Sequence, residues 1–155
     1  MAFYGGLVAN YFAARGLIKT RLETRIPELR EVLFTPSLDF LKHPYQYSPV
    51  AFIFWAGDAI KETKRGNLDQ RIGQNWLIIF GTRDDGPNTI GDSVIDAAGE
   101  LIDSGISALQ GWYPGGVYGQ LERVAADVSP EYFPGWIWAP LQFETEFTTH
   151  GDNDQ

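Results

Sequence analysis

The chain has no cysteine among its 155 residues. That absence excludes disulfides, thiolate metal sites and a cysteine nucleophile, and it suits a protein made in a reducing cytoplasm. Histidine is almost as scarce, with two residues: His43 stands before a proline, and His150 sits in a polar tail. Neither has further ligands nearby at the spacing a zinc site requires. No apolar run is long enough to span a bilayer; the two longest, Val50 to Ala56 and Trp76 to Gly81, have strand length. A basic leader is missing ahead of the apolar N-terminal stretch MAFYGGLVANYFAARG, so it does not read as a signal peptide. Positive charge is also short: 12 Lys and Arg against 20 Asp and Glu leave a net charge of −8. An acidic chain is poorly suited to gripping DNA, whose phosphates are bound mainly by Lys and Arg. Two readings of the acidity stand: solubility alone, or a wall past which DNA slides without sticking.

What is present has the composition of a folded domain. Hydrophobic residues make up 44% and charged residues 21%, close to the averages for soluble globular chains. The length suits one domain with a core of its own. Five Trp and ten Phe supply large anchors for that core or for interfaces. The expected organisation is one domain over residues 1–149, opening with a helical segment, and a flexible acidic tail over residues 150–155. There is no internal repeat.

Leu7, Tyr11, Ile18, Leu22, Ile26 and Leu29 fall on one stripe at helical spacing, which predicts a first helix closed by Pro27. Gly16 marks a possible interruption, and the basic residues from Arg15 to Arg25 read as a solvated face. Val32 and Phe34 predict at most a short strand before Pro36. The run Val50–Ala56 and the run Asn75–Thr82 have the continuous apolar character of strands covered on both faces. The polar stretch Gly57–Gln74 between them reads as a long hairpin or flexible arm. Asp84 to Asn88 is a turn cluster by residue type. Thr89 and Asp92 match the Ser/Thr-x-x-Asp/Glu capping pattern. Ile90, Val94, Ala97, Ala98, Leu101, Ile102 and Leu109 then line one arc of a second helix, with Asp92, Asp96, Glu100, Asp103 and Ser107 on the other. Gly111 stands where such a helix needs its left-handed terminator. Leu141, Phe143, Thr145 and Phe147 alternate with polar residues, the period of a half-exposed strand. Trp136–Trp138 lead into that strand across Pro140, which predicts an edge or a bend. The sum is an α/β chain of the α+β type: a mostly antiparallel sheet with two main helices packed on one face.

No set of residues carries catalytic chemistry. Asp84, Asp85 and Asp92 lack the alternating ligands and terminal Glu of a calcium loop, and a helix N-terminus explains them equally well. The glycines of Gly111–Gly116 follow a helix rather than a strand, and no Lys-Ser or Lys-Thr comes after them, as a phosphate-binding loop needs. The reading is of a non-enzymatic chain without cofactor or metal. Lys61, Lys64, Arg65 and Arg71 are interleaved with Glu62 and Asp69 and lack the aromatics of a single-strand nucleic-acid surface. They are either a solvated hairpin or a contact with an acidic neighbouring subunit, where opposite charge fixes register. Trp112, Tyr113, Trp136 and Trp138 either fill the core or anchor an interface.

The order of these features resembles the tail terminator, or tail completion, proteins of long-tailed bacteriophages. The resemblance rests on Arg21-Leu22 and Ile26-Pro27 at the end of the first helix, Pro49-Val50 opening a long strand, and the strand Trp76-Leu77-Ile78-Ile79-Phe80. It rests most on Leu109-Gln110-Gly111-Trp112-Tyr113-Pro114, which matches a Leu-x-Gly-Trp-x-Pro segment common at this place in that family. It spans Ile18 to Phe147; the apolar segment before Gly16 is a departure. The resemblance implies a structural virion protein, assembled in the host cytoplasm, forming a hexameric ring at the head-proximal end of the tail. Such a ring stops polymerisation of the tail tube protein and offers a docking surface to the head–tail connector, and DNA passes through its lumen without specific binding. No membrane is involved. Lys61, Lys64, Arg65, Arg71, Trp112, Tyr113 and Pro114 are the expected subunit or partner contacts. A neck or head-completion protein bound to the connector is the alternative, followed by a small acidic enzyme or nucleic-acid-handling factor.

Overall fold

A computed structural model describes residues 10–83 and 92–152. Helix α1 is Ala13–Arg25 and α2 is Asp92–Leu109. The strands are β1 Glu31–Phe34, β2 Val50–Lys64, β3 Asp69–Arg83, β4 Glu122–Val124, β5 Glu131–Phe133 and β6 Trp136–His150, and a short 3-10 turn covers Asp39–Lys42. They form one six-stranded sheet in the order β1-β2-β3-β6-β4, with β5 also pairing β6. The β1–β2 pair is parallel and the others antiparallel. Both helices lie on one face: Ala14, Ile18 and Leu22 of α1 and Leu101, Ala108 and Leu109 of α2 share a buried cluster with Ile53, Trp76, Ile78, Phe80, Leu141 and Phe143. The fold is therefore the expected α+β arrangement, with the two helices on one side of the sheet.

Helix α1 is shorter than its stripe. It runs through Gly16 without a break and ends at Arg25. Ile26 leaves the helical region, at φ −129° and ψ 72°, because Pro27 behind it disfavours that conformation. Tyr11, Ile26 and Leu29 thus extend the apolar stripe outside the helix, while Leu7 lies outside the described residues. The basic face is not simply solvated: Lys19 Nζ donates to the Val32 carbonyl at 2.9 Å, and Arg21 Nε to the Ala108 carbonyl at 2.9 Å. In α2 the exposed arc holds Asp96, Glu100, Asp103 and Ser107 as the 3.6-residue period requires. Asp84–Asn88, Thr89 and Ile90 fall outside the described residues.

The stretch between the two apolar runs is strand, not flexible linker. β2 and β3 continue as a hairpin to Lys64 and Asp69, with Arg65 and Asn67 at positive φ in the connecting turn. Pro140 lies within β6, opposite Ile79 of β3. On its other side β5 ends its pairing at Trp138 and β4 begins at Gln142, so Pro140 occupies a local edge where no amide donor is needed. β6 continues through His150, one residue past the expected domain boundary; residues 153–155 of the tail are outside the described set.

The face turned away from the helices changes character along the sheet. Val50, Phe52, Leu77, Ile79, Trp136 and Trp138 form a second buried cluster there, covered by the 3-10 turn and by Ala126, Val128 and Phe133. Trp138 Nε1 donates to the His43 carbonyl at 3.0 Å, which gives this histidine a place in the cover of that core. Beyond Asn75 and Gln142 the same face turns charged.

Candidate assembly surfaces

Three surfaces stand out. The first is the charged end of the hairpin, where the four basic residues singled out in the sequence gather. Lys61 Nζ lies 2.9 Å from Glu144, Arg71 lies 2.5 Å from Glu146 and 3.6 Å from Glu62, and Lys64 lies 3.6 Å from Glu62. Arg65 holds Asp69 through two bonds of 2.6 and 2.9 Å, and His150 Nδ1 lies 2.8 Å from the same carboxylate. Arg65, and then His150, keep the Asp69 carboxyl well below the usual carboxylate range. Glu144 raises the Lys61 ammonium, and Glu146 raises the Arg71 guanidinium. Each of the four cations therefore has a carboxylate partner within its own chain.

The second surface is the turn after α2. Gly111 has φ +78°, a conformation that glycine adopts without the Cβ penalty and that ends the helix. The Gly111 amide donates to the Leu121 carbonyl at 2.8 Å, the Leu121 amide returns to Trp112 at 2.9 Å, and Gln120 Nε2 reaches the Gly111 carbonyl at 3.1 Å. Arg21 from α1 lies over the Trp112 ring, 5.2 Å from its centroid, while its Nε bonds the Ala108 carbonyl. A cation at a helix C-terminus complements the dipole and satisfies an orphan acceptor. Trp112 is thus half-buried and braced by Arg21. Tyr113, by contrast, is 63% exposed, and its hydroxyl has no hydrogen-bond partner among the described residues. Pro114 is half-buried beside it. Trp136 and Trp138, the other aromatics weighed for an interface, are buried at 1% exposure and belong to the core.

The third surface was not legible in the sequence. Where β1 ends, Phe12, Arg15, Phe34, Ile53, Trp55 and Trp76 line an open cleft of about 320 Å³. Phe12 meets Trp55 edge-on at 4.9 Å between centroids, and Arg15 lies 4.4 Å over the Phe34 ring. Trp55 remains 41% exposed. It is the last large residue of the apolar run Val50–Ala56, and nothing in that run marks it as exposed. Next to it the Tyr11 hydroxyl donates to Asp58 at 2.5 Å; burial, and then that carboxylate, raise the phenol far above its ordinary value.

The three surfaces are built from ion pairs and aromatic contacts. Among the described residues no group of three or more His, Cys, Asp or Glu side chains is placed to hold a metal ion. No helix among them is long and apolar enough to cross a membrane. What they offer are contact chemistries: an ion-paired rim, a braced aromatic projection and an aromatic cleft. No curated protein matches the chain. The family model for phage tail terminator proteins matches residues 8–154, from before α1 to beyond the end of β6. The match takes in both helices, all six strands and the three surfaces, and on it the chain belongs to the phage tail terminator family, a structural component of the phage virion.

Proposed function

We propose that the chain caps the head-proximal end of the tail tube as a closed hexameric ring that stops polymerisation of the tube protein and receives the head–tail connector. The family match over nearly the whole chain carries this reading. In it the protein is a non-enzymatic assembly component, without cofactor, made in the host cytoplasm and retained in the virion. A ring built from identical subunits repeats one heterologous contact until rotation closes it. The subunit must then offer two different patches, and the turn at Trp112, Tyr113 and Pro114 and the rim at Lys61, Lys64, Arg65 and Arg71 are the contacts we assign to subunits or tail partners.

Passage of DNA without capture is supported by the charge pattern. The hairpin cations are engaged by Glu62, Asp69, Glu144 and Glu146, so the arm offers no track of free positive charge for a phosphate backbone. The exposed arc of α2 adds Asp96, Glu100 and Asp103. Negative-stain microscopy of the purified chain is expected to reveal rings. Phage lacking the gene is expected to make tails of uncontrolled length; tails of normal length in that background would overturn the reading.

A further inference from the structure

We infer that the contact closing the ring is a projection-into-cleft joint: Tyr113 of one subunit enters the Phe12–Phe34–Trp55 cleft of the next. This deepens the ring reading above and rests on it. The partner is a second copy of this chain.

The sheet register places the two features opposite one another. Trp55 pairs with Trp76, Trp76 with Phe143 and Phe143 with Arg123, so one straight line across the sheet joins the cleft on the β1–β2 edge to strand β4 on the far edge. Leu121, the residue before β4, is bonded in both directions to the Gly111–Trp112 turn. The turn that carries the projection is therefore tied to the sheet within two residues of the level of the cleft, on the opposite edge. Both are on the helix side: Phe12 and Trp112 each pack against the cluster beneath α1 and α2. A rotation about an axis parallel to the strands carries one edge toward the other with little axial step, which favours a ring over a helical filament.

The chemistry matches as well as the placement. The cleft presents aromatic faces and edges with a guanidinium at its rim, the surroundings in which a tyrosine ring is held best. Among the described residues the other strongly exposed tyrosine, Tyr132, belongs to β5, whose partners on β6 are Trp136 to Trp138. That is several residues down the strand from the level of the cleft, so Tyr132 misses it. Backbone bonds hold the Gly111–Leu121 turn in place, so little ordering entropy is lost on docking.

The absence of native cysteine makes the test direct. The full-length double variant Thr35→Cys with Tyr113→Cys places one thiol at each side of the joint. Within one chain β1 and β4 lie four strand spacings apart, about 19 Å, far beyond the roughly 7 Å a disulfide spans. Oxidised rings of the double variant are expected to run as covalent multimers on a non-reducing gel, and neither single variant is. Tyr113→Ser is expected to leave thermal unfolding of the subunit unchanged and to raise the concentration for half-assembly by about 30-fold, the loss of one anchor residue. Rings that form without the cross-link, or that assemble normally with Ser at 113, overturn the joint while leaving the ring reading in place. Failure of the wild-type chain to form rings at any concentration overturns the ring reading and the joint with it.

Discussion

The three long strands have two halves built on different physics. In the first, Val50–Ile53, Trp76–Phe80 and Trp136–Phe143 bury large side chains against helices on one face and against the 3-10 turn and loops on the other. In the second, Asp58–Lys64, Asp69–Asn75 and Glu144–His150 keep apolar contacts only on the helix side, through Ile72, Phe147 and Tyr118. Their other face is a lattice of ion pairs open to water. The same backbone ladder runs through both halves. The contrast shows that hydrogen-bond register can extend a strand well past the core that nucleates it, and that the extension is tuned by charge rather than by packing.

Removing a core indole should produce the largest effect. Trp138 is fully buried, packs edge-on to Phe40, Phe52 and Trp136, and bonds the His43 carbonyl. Trp138→Ala is expected to cost about 3–5 kcal/mol, read as a lowered denaturant midpoint. A loss below about 1 kcal/mol would mean that the loop-covered face is not a true core.

A matched pair of glycine substitutions sharpens the comparison. Gly81 and Gly73 lie on the same strand and the same face. A Cβ at Gly81 would sit 2.4 Å from Trp138 and 2.6 Å from Trp136, both rigid rings in a packed core. A Cβ at Gly73 would sit 2.6 Å from Glu144 and from Lys61, at the movable ends of an ion pair. Gly81→Ala is therefore expected to destabilise by about 1–3 kcal/mol, and Gly73→Ala by clearly less. Equal costs would erase the distinction between the halves.

Smaller still is the effect expected from the rim. Arg71→Ala removes a partner from Glu62 and Glu146 at an exposed site where solvent screens the pairs, so its cost is expected to fall below that of either core substitution. Amide exchange should accelerate in the hairpin and stay unchanged at Ile78 and Phe80. Exchange that rises uniformly would show that the rim and the core unfold as one unit.

The smallest expected change is a pH effect at the hairpin turn. Asp69 has its folded pKa depressed by Arg65 and His150. Its contribution is thus complete above the ordinary carboxylate value of about 3.9 and fades as the pH falls below that toward the folded value. Protection of the turn amides should decline across that acid range in the native chain and stay flatter in Asp69→Asn. Identical profiles would remove Asp69 from the account.

Much of this was legible in the sequence because it depends on near neighbours. Val50–Ala56 and Trp76–Gly81 declared strands, the arc from Val94 to Leu109 declared α2, and Gly111 marked its end. The hairpin beyond Gly57 was readable only as either strand or flexible arm. Its polar residues carry no apolar period on the water side, and pairing with β6 is a long-range event. Pro140 announced an edge or a bend, and only the lengths of β4 and β5 made it an edge, as a gap inside a longer strand.

By itself, the sequence determined the class of the molecule. Its periodicities set the helices and the buried strands, its lack of cysteine and scarcity of histidine removed whole families of chemistry, and its Gly-Trp-Tyr-Pro turn pointed to the tail terminator family. Tertiary structure alone decided which aromatics are structural and which are presented. Trp136 and Trp138 went inward because loops from elsewhere in the chain cover them, and Trp112 was taken up by Arg21. Tyr113 was left exposed, and a cleft opened on the far edge of the sheet between Phe12, Arg15, Phe34 and Trp55. Exposure and register are properties of residues distant in sequence and close in space, and no local pattern encodes them.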